Sequence, residues 1–328
     1  MFPFPGKLGL KEQIAAENAR VSQAQLQETR NQLVNDLKSI YFNLFFVDKA
    51  IETTLKNTSL VQSFVQIAQT KYAVGKGLQQ DVLKAQVELS KMEDKLIGLR
   101  QKRAALEARL NALLNRPADA PVGKTPELEP GNFSFNLAEL KELADQNRPL
   151  FAAWQAMERQ SMQKVKLAKK EYLPDFKITA AYTQRDVLQN GMGGADFVSG
   201  LFSMNIPLYF WKKQRKNVEE NRYLQSAVQR NFQNIRNQVY AALEETLSEV
   251  EKNQRLSDLY RNGIIPQATQ SLHSAISGYQ TDKVDFLTLL SNQITLFNYQ
   301  LDYYRILSDY YTGIAKLELL TGKRFAEE

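Results

Sequence analysis

Between Pro174 and Pro207 the sequence alternates with a period of two, and no other part of the chain does so over comparable length. Phe176, Ile178, Ala180 and Tyr182 share one face of an extended segment, with Lys177, Thr179 and Thr183 on the other. A Gly-rich connection follows, Gln189-Asn190-Gly191-Met192-Gly193-Gly194. After it Val198, Phe202, Met204 and Ile206 face one way and Ser199, Ser203 and Asn205 the other. This pattern predicts two antiparallel strands with one apolar and one polar face. A lone hairpin is marginal in water and leaves both edges unpaired. These strands must therefore join others, and the rest of the chain has to say which ones and in what solvent.

That rest is written for long helices. From about Leu10 to Asn57 nothing breaks a helix, and Leu26, Leu33, Leu37, Ile40, Leu44, Val47, Ile51 and Leu55 recur at steps of three, four and seven. At 1.5 Å per residue such a helix would extend ~65–70 Å, far beyond the needs of a compact domain. A second helical stretch is predicted from about Leu60 to Leu114, interrupted near Gly75-Lys76-Gly77. Its seam is Leu89, Met92, Leu96, Leu99, Leu106, Leu110 and Leu113, and Arg116-Pro117 closes it. A Pro-, Gly- and acid-rich connection leads to a short helix at Leu137–Asn147. Arg148-Pro149 then opens a longer one to about Tyr172, with Phe151, Trp154, Met157, Val165, Ala168 and Tyr172 as its stripe. After Pro207 helices are expected from about Lys213 to Asn262 and from about Ile265 to Leu320, with Gly322 as the stop.

The last two helices repeat the first two. Tyr72 and Tyr279 stand 207 residues apart, as do Leu83 and Leu290, Gln86 and Gln293, and Leu110 and Leu317. At that offset the second seam maps onto Leu296, Tyr299, Tyr303, Ile306, Gly313, Leu317 and Leu320, and all but Gly313 stay apolar. One helix earlier the offset is 206, with Arg30-Asn31-Gln32-Leu33 matching Arg236-Asn237-Gln238-Val239. A near-constant register through two helices and their turn reads as a duplicated helical hairpin. The second copy is preceded by a helix and two strands, whereas the first is preceded only by Phe2-Pro3-Phe4-Pro5-Gly6-Lys7. The expectation is that a first helix and strand pair belong upstream of this chain.

Composition excludes several classes. The net charge of +6 is modest, and bases alternate with acids, so no nucleic-acid footprint stands out. Without cysteine there is no disulfide framework, thiolate metal site or cysteine nucleophile. No apolar run reaches about 18 residues, so no transmembrane helix is predicted. Nor does the start look like a signal peptide, which fits either a cytosolic protein or a chain that begins inside a longer precursor. His273 is the only histidine, and alone it is a surface or packing residue rather than a ligand. No phosphate loop follows a strand. The reading is of a non-enzyme with no cofactor and no metal.

With the helical hairpins, the strand pair leading into Asn205-Ile206-Pro207-Leu208 and the two turn motifs in place, the sequence resembles the TolC-type outer-membrane efflux family. Tyr72-Ala73-Val74-Gly75-Lys76-Gly77 with Asp81-Val82-Leu83-Lys84-Ala85-Gln86 is similar to that family's first periplasmic tip. Gly278-Tyr279 through Asp285-Phe286-Leu287 to Leu290-Ser291-Asn292-Gln293 is similar to the second, and Tyr172-Leu173-Pro174-Asp175 fits the junction where a helix enters the barrel. The resemblance implies a mainly α fold with a small β part: long antiparallel helical hairpins in a periplasmic α-barrel, plus a hairpin contributing to a trimeric transmembrane β-barrel. It places the protein in the outer membrane of a Gram-negative bacterium. Its implied partners are two further copies in a homotrimer, outer-membrane lipid, a periplasmic adaptor and an inner-membrane pump. A lipid-spanning barrel satisfies every backbone group, and dyad alternation is what its strands require.

On this reading 1–9 is a lead-in, 10–116 the first helical hairpin, 117–147 an equatorial connection and 148–173 the helix entering the barrel. The membrane hairpin is 174–207, the second helical hairpin 208–322 and the tail 323–328. Membrane strand faces are marked by Phe176, Ile178, Tyr182, Val198, Phe202 and Met204. The resemblance assigns adaptor docking to the tip residues Tyr72, Val74, Gly75, Leu78, Asp81 and Tyr279. A single glycine turn would read as no more than a break between helices, but two copies in one register argue for a functional tip. At the second tip the positions usually acidic in the family hold Thr288 and Ser291. Asp282 and Asp285 are the nearby acids that could form a three-fold charge ring at the pore constriction. Heavy-metal or drug efflux is the implied activity. A protein-secretion duct is the alternative in the same fold, and a soluble coiled-coil scaffold the alternative in another class.

Overall fold

The structure, a computed structural model, describes residues 2–131, 133–185 and 194–325. Its elements are helices α1 (Lys7–Ala73), α2 (Gln79–Leu113), α3 (Leu137–Asn147) and α4 (Pro149–Lys170), strands β1 (Asp175–Thr183) and β2 (Phe197–Asn205), then helices α5 (Lys213–Leu259), α6 (Ile265–Gln280) and α7 (Phe286–Thr321). Most of the Gly-rich connection expected between the strands lies outside the described residues. The mainly helical reading with one antiparallel strand pair is borne out.

Two expected helix ends are absent, each for a local reason. The sequence suggested a break between Asn57 and Leu60, but α1 runs through it. Asn57 and Thr58 return their side chains to the carbonyls of Thr53 and Thr54, at 2.9 and 2.8 Å, and stay helical. The break expected near Asn262 is a π-helical turn, Tyr260–Ile264. Pro266 has no N–H for the carbonyl of Asn262, and the ladder widens so that the Ile265 N–H reaches Tyr260 instead.

Where the helices do end, the repeat is visible in the backbone. Gly75 and Asp282, 207 residues apart, both take the left-handed conformation, with φ of 70° and 58°. In each turn the next N–H reaches back five residues, Lys76 to Lys71 and Lys283 to Gly278, both at 2.8 Å. Asn115 and Gly322, again 207 apart, end α2 and α7 in the same left-handed conformation, with φ of 52° and 73°. Four turn residues at one offset make the duplication a structural fact.

The chain divides into two compact units. The first, Met1–Thr29 with Arg148–Val239, holds both strands. In it α4 is tied to the start of α1 by Arg159–Glu17 at 3.0 Å and by Glu28, which pairs with Arg148 and accepts the Leu150 N–H. Phe151 meets Phe232 of α5 edge-on. The strands pair in register, with Phe176 opposite Met204, Ile178 opposite Phe202, Ala180 opposite Gly200 and Tyr182 opposite Val198. On the other side of β1, Phe2 exchanges two backbone hydrogen bonds with Phe176, at 2.5 and 2.9 Å.

The second unit is Arg30–Asn147 with Tyr240–Glu328. One cluster joins Ile40, Leu44, Val47 and Ala50 of α1 to Met92, Leu106 and Leu110 of α2 and to Phe297 and Leu301 of α7. Another joins Phe64 and Ala68 to Ala85, Tyr279 and Leu290. The buried stripe of α1 is Val47, Ala50, Thr54, Asn57, Val61, Phe64 and Ala68, alternating steps of three and four. Leu26, Leu33 and Leu55 of the expected seam are exposed instead. Asn57 is kept inside by Gln293, whose amide donates to it at 2.8 Å.

Opposite signs are expected for one substitution at two glycines. Gly322→Ala forces an L-residue into the left-handed region and should cost about 1–2 kcal/mol. Gly98→Ala lies mid-helix in α2, with nothing within 4 Å of the new methyl, and should stabilise by about 0.5–1 kcal/mol. Chemical denaturation followed by far-UV circular dichroism checks both.

Candidate functional site

The two helix turns, Val74–Leu78 and Thr281–Asp285, are brought together by one side chain. Lys71, in the last turn of α1, donates to the carbonyl of Tyr279 and to the Asp282 carboxylate, the latter at 2.5 Å. Its ammonium also lies 4.2 Å from the centre of the Tyr279 ring. Lys71 is not among the tip residues expected from the sequence. The position 207 residues on is Gly278, beside the matching pair Tyr72 and Tyr279, so the base is present in only one of the two turns. A Cβ on Gly278 would stand 2.5 Å from Val284, so only glycine lets the second turn fold this closely.

Equivalent residues have unequal surroundings. Tyr72 is 48% exposed, while Tyr279 is 5% exposed and packs edge-on against Phe286. Tyr279 was expected at the docking surface, yet in this chain its ring belongs to the core. Burial, then Asp81 and Asp282 nearby, pushes its hydroxyl pKa up. Val74 and Leu78 are both nearly two-thirds exposed, and nothing approaches the Cα of Gly75 within 4 Å on its side-chain side. Asp81 sits half-buried in the first turn of α2, where a carboxylate complements the helix dipole.

The acids nominated for a pore ring are engaged. Asp285 caps α7, accepting the Thr288 N–H at 2.7 Å, which holds its carboxyl below the usual range. Asp282 is held low chiefly by its hydrogen bond to Lys71 and that ammonium's charge. Both remain on the surface, as do Thr288 and Ser291. Neither acid stands free: Asp285 takes a donor from its own helix start, and Asp282 takes Lys71 from α1.

On α2, Leu83 and Val87 are exposed and line an open groove with Leu290 and Ile294 of α7. Their counterparts at the 207 offset are those same α7 residues, of which Leu290 is buried and Ile294 half-buried. Near the tips, equivalent residues of the two repeats are therefore covered to different extents. The strand pair is more exposed still: Phe202, Ile178 and Tyr182 are open, and Val198 is 77% exposed.

The family model described as outer membrane efflux protein matches residues 4–116 and 140–323. The cobalt-zinc-cadmium resistance protein CzcC of Cupriavidus metallidurans is 21% identical over 323 residues, covering 97% of this chain and 74% of that protein. The toxin and drug export protein A of Aggregatibacter actinomycetemcomitans is 21% identical over 316 residues, covering 91% and 68%. Among solved structures, the outer membrane protein VceC of Vibrio cholerae superposes with a TM-score of 0.85 at 17% identity, covering 98% of this chain and 77% of that one.

The clasp from Lys71 to Asp282 should be lost in acid. A carboxylate with a depressed pKa stabilises the fold above its ordinary value of 3.8, and that contribution disappears as pH falls through the lower folded value. Amide exchange at 279–284, corrected for intrinsic rate, should be slower in the wild type than in Asp282→Asn at neutral pH. The two should converge below the carboxylate range. A difference that persists in acid would mean that Asp282 holds the turn by shape and not by charge.

Proposed function

The chain belongs to the outer membrane efflux protein family, whose model matches most of its length, and from that premise we propose that three copies form the exit duct of a tripartite pump. The duct is a passive channel of the outer membrane. It performs no reaction and carries cargo through a water-filled path lined by helices on the periplasmic side. The observation that supports this reading best is the strand pair, whose cross-strand apolar pairs Ile178–Phe202 and Tyr182–Val198 all face outward. An apolar wall of that kind is costly in water and at home against lipid. None of the described helices is long and apolar enough to cross a membrane.

The adaptor docks at the turn of the first repeat, through Val74, Leu78 and the open backbone at Gly75. These side chains are largely exposed, and Tyr72, about half exposed, flanks them. Tyr279, by its burial, supports the turn from behind. Cargo follows the pump: one relative's name speaks of cobalt, zinc and cadmium, the other's of toxins and drugs. Metal or drug efflux is the first reading, and the toxin exporter keeps a secretion duct as the second.

Val74→Glu and Leu78→Glu should weaken association with the adaptor by about tenfold or more, as loss of a buried apolar anchor does. Export should fall with it while the melting temperature stays unchanged. Tyr279→Ala should lower the melting temperature as well. Binding to immobilised adaptor, read beside a thermal melt, separates the two groups. Full adaptor affinity in both glutamate variants would remove this turn from the docking surface.

A further inference from the structure

Past the end of β2 the chain goes on exposing apolar side chains. Ile206, Leu208, Tyr209, Phe210 and Trp211 are all about half exposed or more. Soluble surfaces scatter such residues singly, and a run of this length marks a contact surface. The rings form one patch: Trp211 meets Tyr209 and Phe210, with centres 6.0 and 5.0 Å apart, and Phe210 meets Tyr172 at the end of α4. The patch continues the strand pattern, since Met204, Ile206 and Leu208 fall at steps of two.

Directly after the rings come Lys212, Lys213, Arg215 and Lys216. Glu219 engages Arg215 and Lys216, at 3.2 and 2.7 Å. Among the described residues Lys212 and Lys213 have no carboxylate partner, nor has Lys169 near the end of α4. The neighbouring acids are otherwise occupied or turned to solvent: Glu171 accepts from Asn217 at 2.6 Å, Asp175 is held by Lys7, and Glu220 is exposed. The first turn of α5 carries no acid at all, so its cations sit at the helix end that repels them. In water that placement is unfavourable, and an anionic surface relieves it.

We propose that this collar of aromatic and basic residues seats on anionic phospholipid in the leaflet next to the start of α5. Lys212 and Lys213 meet the phosphates while Tyr209 and Trp211 lie at the acyl boundary. The order along the chain carries the assignment: apolar strand face, then rings, then unpaired lysines. It matches the order of depth in a leaflet from hydrocarbon through interface to headgroup. A protein partner would have no need of that gradient. The proposal rests on the duct reading, because it requires β1 and β2 to lie in lipid.

Trp211 supplies the test. Trp154 is the only other tryptophan, so Trp154→Phe leaves Trp211 as sole reporter. The full chain in this background is reconstituted into bilayers of phosphatidylcholine and phosphatidylglycerol in equal parts, with bromine on the acyl chains of one lipid or the other. Brominated phosphatidylglycerol should quench Trp211 as though enriched roughly threefold to fivefold around the collar. The preference should vanish in Lys212→Gln/Lys213→Gln and in high salt. Equal quenching by both lipids overturns the proposal and leaves the duct reading standing. A preference that survives the double substitution overturns the role of these lysines. No quenching by either lipid overturns the proposal and the duct reading together.

Discussion

Backbone groups placed in hydrocarbon have no water to turn to, and that constraint shapes everything around β1 and β2. The two strands satisfy each other along their shared edge, and Phe2 takes up one residue of the opposite edge of β1. The outer side of β2 has no partner within the described residues of one chain. Closing a barrel is how a sheet in lipid disposes of such an edge, so on the duct reading further strands complete this sheet. The ion pair of buried Lys7 and half-buried Asp175 then ties the first residue of α1 to the first residue of β1, so the sheet and the long helix share an anchor.

The helices answer a different demand. Four helix ends, at Gly75, Asn115, Asp282 and Gly322, are each closed by a left-handed residue, and after the first three the next N–H reaches back five positions. Glycine meets that demand at Gly75 and Gly322, whereas Asp282 and Asn115 meet it with short polar side chains that tolerate the conformation. The turns are therefore alike where the backbone dictates them. The faces are not: Leu83 and Val87 are open, while at the matching positions Leu290 is buried and Ile294 half-buried. The backbone is shared between the copies, and the exposure of equivalent side chains is not.

The tips show how one side chain decides such a division. Lys71 spans from the first turn to the second and covers Tyr279, whereas its counterpart Gly278 reaches nothing and lets Val284 close in. The first turn is left with its apolar residues outward and the second with its tyrosine inward. A partner meeting the two turns would find adhesive surface on one and a charged, internally satisfied surface on the other.

Much of this was legible in the residues alone. Period-two alternation marked the strands and even their cross-strand faces, because a strand's side chains must alternate whatever surrounds them. The absence of Gly and Pro announced the long helices, the 207-residue register announced the duplication, and the family came from the resemblance of the tip and junction motifs. What the residues could not tell was which apolar positions are covered, since a seam of leucines reads the same against a neighbouring helix or open to a partner. Leu26, Leu33 and Leu55 went one way, and Thr54, Asn57 and Gln293 the other. Nor could they reveal that Asp282 and Asp285 are already engaged, because Lys71 lies 211 residues from Asp282 and meets it only through folding. Local backbone geometry is written in local sequence; burial and pairing depend on what arrives from elsewhere in the chain, and only the tertiary structure settles that.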